Sequence, residues 1–314
     1  APSAIRELFA YGMERKAQIG EDKVFDFSIG NPSVPAPDSV AETIRELADM
    51  APAQLHAYSA AQGLESTRAA IAENLNKRFG THYTADNLYL TMGAAACLSA
   101  CFTALIEPGD AGGVCVEVPA REDNFQIDLD ALEQAITEKT KAVVINTPNN
   151  PVGTVYTRET LEGLADVLVQ AEQKFDHDIY LISDEPYREL TYGVEVPWVP
   201  AIYPNTLVCY SWSKSLSLPG DRIGYVLVPN EVHDSREVYL AVCGAGRSLG
   251  YICAPVFFQR VIERCVDEPT NVEAYAVNRE ILTHALDELG YEYIEPDGAF
   301  YLWIKALEPD AQAF

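Results

Sequence analysis

The stretch Lys141–Leu190, KAVVINTPNNPVGTVYTRETLEGLADVLVQAEQKFDHDIYLISDEPYREL, decides the fold class. Its opening, KAVVIN (Lys141–Asn146), is a short apolar run rich in β-branched residues and reads as a buried strand. Thr157–Lys174 reads as a helix, with Thr157 as N-cap and acidic residues in the first turn. IYLIS (Ile179–Ser183) reads as the next strand. Downstream, TLVCYS (Thr206–Ser211) and IGYVLV (Ile223–Val228) repeat the strand pattern. Upstream, LYLTM runs through Gly93 into the helix-like AAACLSACFTALI. Strands alternating with helices predict an α/β fold, a mostly parallel central sheet flanked by helices on both faces.

The two ends read differently. Residues 1–35 hold one helix followed by a Pro-rich connection, FDFSIGNPSVPAP. Residues 253–289 are strongly helical, and EYIEPDGAFYLWI reads as a hairpin of strands. The expected division is a large domain at 36–252 carrying the sheet, and a smaller α/β domain built from 1–35 and 253–314.

A chain of 314 residues buries most of the surface its unfolded form exposes and needs no disulfide or metal staple. No metal site is expected. Lys plus Arg number 22 against 47 Asp plus Glu, a net charge of −25. Such a field repels phosphate backbones and anionic membranes, so no nucleic-acid partner is expected. The seven cysteines are odd in number, form no CxxC pair and lie partly in apolar runs, which fits free thiols in a reducing, cytoplasmic compartment. Leu88–Ile106 carries no charge and approaches the length of a membrane span. Its Thr91, Gly93, Ser99 and Thr103 favour a strand, a turn and a buried helix, and no membrane association is expected.

In open α/β sheets, ligands bind beyond the carboxyl ends of the strands. Four successive strand ends here carry Gly93-Ala94-Ala95, Asn150, Asp184 with Tyr187, and Lys214 with Arg222. Lys214 is the only charged residue between Glu195 and Asp221. An amine in such surroundings loses hydration, its pKa falls, and it becomes a nucleophile for carbonyl chemistry; a snorkelling or ion-paired lysine is the structural alternative. Arg222 can grip a phosphate with two N–H groups, and Ser211 and Ser213 add hydroxyls. The Gly-Ala run lets backbone N–H groups approach an anion, or merely lets helices pack closely. Asp184 ends an apolar strand and needs a partner, either a protonated ring nitrogen or a structural arginine. Asn150 and Tyr187 can both serve a ring hydroxyl, although Asn before Pro is also a common turn former.

The chain resembles the fold-type-I pyridoxal-phosphate enzymes, specifically the class I and II aminotransferases. The resemblance rests on SIGNPSVPAP (Ser28–Pro37), YSAAQGLESTRAAIA (Tyr58–Ala72), NTPNNPVGTVY (Asn146–Tyr156), SDEPYREL (Ser183–Leu190), SWSKSLSLPGDRIGY (Ser211–Tyr225) and PDGAFYLW (Pro296–Trp303), in that order along nearly the whole chain. It implies pyridoxal 5'-phosphate as cofactor, an amino acid and a 2-oxo acid as substrates, and a ping-pong transfer of the amino group. Lys214 resembles the lysine that holds the cofactor aldehyde and shuttles the substrate proton. Asp184 resembles the carboxylate that keeps the pyridine nitrogen protonated, and Asn150 and Tyr187 the partners of the ring oxygen. Ser211, Ser213, Arg222 and the Gly93–Ala95 backbone resemble the phosphate cup. Tyr58 resembles a tyrosine reaching the phosphate of a neighbouring subunit, which implies a homodimer with shared active sites. Gly30 resembles a glycine lying over the substrate.

Two departures accompany these matches. The family carries about twenty more residues after PGD, with an aromatic that stacks on the ring, whereas EPGD here runs straight into AGGVCVEVP. The arginine that grips the substrate α-carboxylate has no counterpart. We expect residues to be omitted between Asp110 and Ala111 and after Phe314. A carbon–sulfur β-lyase on the same scaffold is the alternative activity, and a non-catalytic cofactor-binding sensor a third reading. Arg247 reads either as a clamp for a substrate side-chain carboxylate or as a dimer-interface ion pair, and Trp212 either lines the pocket or packs under the sheet.

Overall fold

The computed structural model describes residues 4–106 and 113–309. The expected omissions at Asp110–Ala111 and after Phe314 lie outside the described residues. Contacts divide the chain into two compact units, Ala1–Ser33 and Val34–Phe314. The first holds helix α1 (Ala4–Ile19). Asp26 closes it by accepting from Lys16 Nζ at 3.2 Å and from the Ser28 backbone and hydroxyl at 3.0 and 2.6 Å.

The second unit runs α2 (Asp38–Ala48), α3 (Pro52–Leu55), α4 (Glu65–Phe79), β1 (Leu88–Thr91), α5 (Ala94–Leu105), α6 (Leu129–Ala135), β2 (Ala142–Asn146), α7 (Arg158–Phe175), β3 (Tyr180–Asp184), β4 (Thr206–Ser211), α8 (Trp212–Ser215), β5 (Gly224–Leu227), α9 (Ser235–Ser248), α10 (Val256–Cys265) and α11 (Val272–Leu289), then the short strands β6 (Tyr293–Ile294) and β7 (Trp303–Ile304). The main sheet has the order β1-β5-β4-β3-β2. Strands β2, β3 and β4 are parallel, and β5 runs antiparallel to both β4 and β1. The mostly parallel α/β architecture is therefore observed, and β6 and β7 form the expected hairpin.

Side-chain alternation builds the two faces. Leu88 and Leu90 join Val208, Tyr210 and Leu227 against residues of α2, α4 and α10. Between them, Tyr89 turns the other way and packs with Leu207, Cys209 and Val226 against α5 and α9. The uncharged stretch from Leu88 is thus a buried strand and a helix with one buried face, and among the described residues no helix is long and apolar enough to cross a membrane. Thr157 caps α7 by accepting from the Thr160 backbone N–H at 3.1 Å.

The domain division expected at residue 252 differs from the observed one. Val261, Ile262 and Cys265 of α10 lie inside the core shared with α2, α4 and β1. Burial of these side chains makes α10 part of the sheet-bearing body, and residues 253–314 fall within the second compact unit. Trp212 is resolved the same way: it packs with Tyr210 and Tyr225 at ring-centroid distances of 5.3 and 5.5 Å, in that core.

Gly224 opens β5 where a Cβ would stand 2.4 Å from the Tyr210 carbonyl oxygen and 3.1 Å from Gly93 Cα. Neither obstacle is a flexible side chain. Gly224→Ala is expected to destabilise the fold by about 1–3 kcal/mol or more through displacement of β5, read as a lowered urea midpoint at unchanged m.

Candidate active site

Strand register assembles the site at one edge of the sheet. Asn146 pairs with Asp184 and Asp184 with Cys209, so β2, β3 and β4 end side by side. Ser211 pairs with Gly224, which pairs with Thr91, so the antiparallel β5 begins where its neighbours end. The loops bearing Gly93, Asn150, Tyr187, Lys214 and Arg222 leave from this same edge.

Asp184 is the electrostatic centre of the edge. Its Oδ2 accepts from Asn146 Nδ2 at 3.2 Å, whereas its Oδ1 is buried with no hydrogen-bond partner. Burial, reinforced by the neighbouring Glu185 charge and opposed by the Asn146 hydrogen bond, pushes its carboxyl up to about 7. The structural-arginine alternative fails for this residue, because the nearby arginine serves another carboxylate. Arg188 pairs with Glu185, which also accepts from Ser183 Oγ at 2.6 Å. Arg188 further donates to the carbonyls of Val196 and Pro197, both at 3.0 Å, and lies over the rings of Phe79 and Trp198. Its donors are committed to fixing the segment after β3.

Lys214 sits in the single turn α8 directly after β4. Its Nζ lies 5.0 Å from the Phe300 ring centroid and 5.8 Å from that of Tyr187. Burial, helped by the Arg222 charge, lowers its ammonium to about 8, the direction expected for a nucleophilic amine. Tyr187 is buried and joined by its hydroxyl to two partners: Asn150 Nδ2 donates to it at 3.3 Å, and Tyr301 Oη lies at 2.7 Å. Burial and the Tyr301 hydroxyl both hold the Tyr187 phenol protonated.

Between β1 and β5 the loop at Gly93 meets the Arg222 guanidinium. Gly93, at φ 82°, precedes the first turn of α5, and a Cβ there would stand 2.5 Å from Arg222 Nη2. Arg222 is itself in the left-handed region at φ 53°, a strained conformation of the kind that collects at functional sites. Its guanidinium donates to the carbonyls of Pro219 and Met92 at 3.0 and 3.2 Å. The Ser211 and Ser213 hydroxyls are buried and 3.1 Å apart.

The edge brings together Gly93, Ala94, Ala95, Asn150, Asp184, Tyr187, Ser211, Ser213, Lys214 and Arg222. Tyr58 stands 94% exposed. Arg247 is exposed in the last turn of α9, where its charge acts on Tyr89 and Cys243, neither of which belongs to the edge. Gly30 lies in the first unit. Sequence reading gave no role to Asn146, Phe300 or Tyr301. A polar residue closing an apolar strand four positions before Asn150 was the available signal for Asn146. The other two are in PDGAFYLW, whose segment docks through Gly298 N–H to the Gly153 carbonyl at 2.9 Å and Ala299 N–H to the Leu190 carbonyl at 2.8 Å.

The raised Asp184 carboxyl has a measurable consequence in the ligand-free protein. Between the ordinary value of 3.8 and about 7, the unfolded chain ionises while the folded chain keeps its proton, so stability falls as pH rises through that interval. Asp184→Asn removes the cost. The ligand-free variant is expected to match wild type at pH 4 and to be more stable by about 1–3 kcal/mol at pH 8, measured by urea unfolding at both values.

Comparison with known proteins identifies the family. The family model for aminotransferase class I and II matches residues 22–111 and 110–314, breaking where EPGD meets AGGVC. The aspartate/prephenate aminotransferase of Thermus thermophilus is 31% identical over 323 residues, covering 96% of this chain and 81% of that protein. An aminotransferase structure from Eubacterium rectale superposes with a TM-score of 0.95 at 53% identity, covering 100% of this chain and 84% of that one. The aspartate aminotransferase structure from Thermotoga maritima gives a TM-score of 0.85 at 28% identity, with 100% and 85% coverage. With the matched model spanning the sheet, the strand-edge loops and the terminal hairpin, the chain belongs to the class I and II aminotransferases.

Proposed function

We propose that this aminotransferase uses pyridoxal 5'-phosphate to move an amino group from an amino acid to a 2-oxo acid in two half-reactions. The observation that carries the reading is Asp184 Oδ1, a buried acceptor without a protein donor. A protonated ring nitrogen supplies both the missing hydrogen bond and the missing positive charge. The Arg222 guanidinium beside the start of α5 suits a phosphate, and a side chain at position 93 would collide with that guanidinium. The cofactor, when bound, supplies an electron sink for the carbanion formed at the substrate α-carbon.

The chain's own residues divide the work. Lys214 Nζ would hold the cofactor aldehyde and, once free, would take the proton from the α-carbon of the donor amino acid in the first half-reaction and deliver one to the α-carbon of the acceptor in the second; an amine titrating near 8 is partly neutral at physiological pH. Asp184 keeps its negative charge against the ring nitrogen. Tyr187 Oη and Asn150 Nδ2 hold the ring oxygen, and Asn150 also borders the substrate. Ser211, Ser213, Arg222 and the N–H groups of Ala94 and Ala95 take the phosphate. Phe300 faces the Lys214 ammonium and shields it from water.

From the resemblance, Gly30 serves the substrate. Arg247, exposed in the last turn of α9, is either a clamp for a substrate side-chain carboxylate or part of a dimer-interface ion pair. Tyr58 reaches the phosphate of a second copy in a homodimer, which its exposure supports. A cytoplasmic setting is supported by cysteines that are free, five of them buried. Nothing among the described residues favours elimination over transfer.

The test is absorbance of the protein with pyridoxal phosphate, before and after borohydride, followed by product analysis with an amino acid and a 2-oxo acid. Wild type is expected to show a visible band that borohydride fixes covalently, and stoichiometric exchange of amino and oxo groups. Lys214→Ala is expected to fold, to lose the fixation and to lose at least ~10²–10⁴-fold in turnover. Wild-type turnover in that variant, or no cofactor band in wild type, overturns the reading. Pyruvate, ammonia and free thiol from a β-thiol amino acid would replace transamination with elimination.

A further inference from the structure

We propose that Asn146 is a positioning residue that aims Asp184 and Asn150 together, one side-chain amide setting two groups that face the cofactor ring. The proposal rests on the cofactor reading above and deepens it. Asn146 ends β2 directly beside Asp184 at the end of β3. Its Nδ2 donates to the Asp184 carbonyl at 3.0 Å and to Asp184 Oδ2 at 3.2 Å. Its Oδ1 accepts from the Asn150 backbone N–H at 2.7 Å. The amide therefore has both of its polar atoms engaged, and each contact acts on a residue of the site.

The asymmetry of Asp184 follows from this. The two oxygens of a carboxylate are chemically equivalent, and rotation of the group exchanges them. A donor on one side breaks the equivalence. With Oδ2 held by Asn146, Oδ1 is the oxygen left to accept from elsewhere, and it is the buried atom without a partner. The second arm fixes the loop after β2 at its backbone. Asn150 then reaches Tyr187 Oη with its own amide at 3.3 Å. Asn146 touches neither Tyr187 nor Lys214 in these contacts, so its influence on a ligand passes through the two residues it holds.

Asn146→Asp separates the arms. It keeps the side-chain shape and an acceptor for the Asn150 N–H, removes the donor to Asp184, and sets one carboxylate against another. Asn146→Ala removes both arms. The readout is the equilibrium affinity for pyridoxal phosphate, measured by absorbance or quenching of intrinsic fluorescence, in the wild-type and Asp184→Ala backgrounds. In the wild-type background both variants are expected to bind ~10–100-fold more weakly, the effect of losing a charge-assisted hydrogen bond. In the Asp184→Ala background, Asn146→Asp is expected to change affinity less than ~2-fold, because its target is gone, whereas independent effects would multiply. An equal loss in both backgrounds overturns the proposal, as does wild-type affinity in Asn146→Asp. Should both variants fail to fold, Asn146 is a structural residue and the proposal falls. Wild-type protein that does not bind pyridoxal phosphate falsifies the cofactor reading itself, an outcome visible before any Asn146 variant is made.

Discussion

A carboxylate at the end of a buried strand, with one oxygen held by an amide and the other facing no donor, is the constraint around which this sheet edge is organised. Leaving such an oxygen unserved in a dry site costs free energy that a folded chain ordinarily avoids. An arginine lies only four residues away, yet its geometry commits it to Glu185. Glu185 and Arg188 neutralise each other and fasten the segment after β3, while Asp184 keeps one buried oxygen without a partner.

The rest of the edge is arranged about that carboxylate. Parallel strands ending in register deliver Asn146 and Asp184 side by side, and β4 carries its chain directly into the turn that holds Lys214. The reversed strand β5 matters equally. Because it begins where the others end, Arg222 precedes it on the same edge and meets Gly93 after β1. One antiparallel strand thus brings the Arg222 guanidinium and the start of α5 together. The strained backbone of Arg222 is held by the carbonyls of Pro219 and Met92 on either side.

Much of this was legible in the residues alone. Apolar runs of strand length gave β2, β3, β4 and β5 within a residue or two; β3, β4 and β5 are the largely buried strands that leave a continuous hydrophobic signature, whereas β2, which reads as buried, is the half-exposed edge strand. The isolation of Lys214 among uncharged residues pointed to its lowered pKa. What the sequence concealed was long-range. α10 and α11 read alike as amphipathic helices beyond the boundary expected at 252, and only packing shows that α10 enters the core of the sheet. Asn146 carries no signal in periodicity, because two of its three side-chain contacts depend on the register of β2 against β3. Phe300 and Tyr301 reach the site from more than eighty residues beyond Lys214, through backbone bonds between two loops. The competition between Asp184 and Glu185 for Arg188 could be settled only by distances.

The central claim is that Asp184 Oδ1 is completed by a protonated ring nitrogen. The most direct measurement is the ¹⁵N resonance of pyridoxal phosphate labelled at its ring nitrogen and bound to the wild-type protein at pH 8. The account predicts a protonated nitrogen there, and an unprotonated one when the same cofactor is bound to Asp184→Ala. An unprotonated nitrogen in the wild-type protein would contradict it.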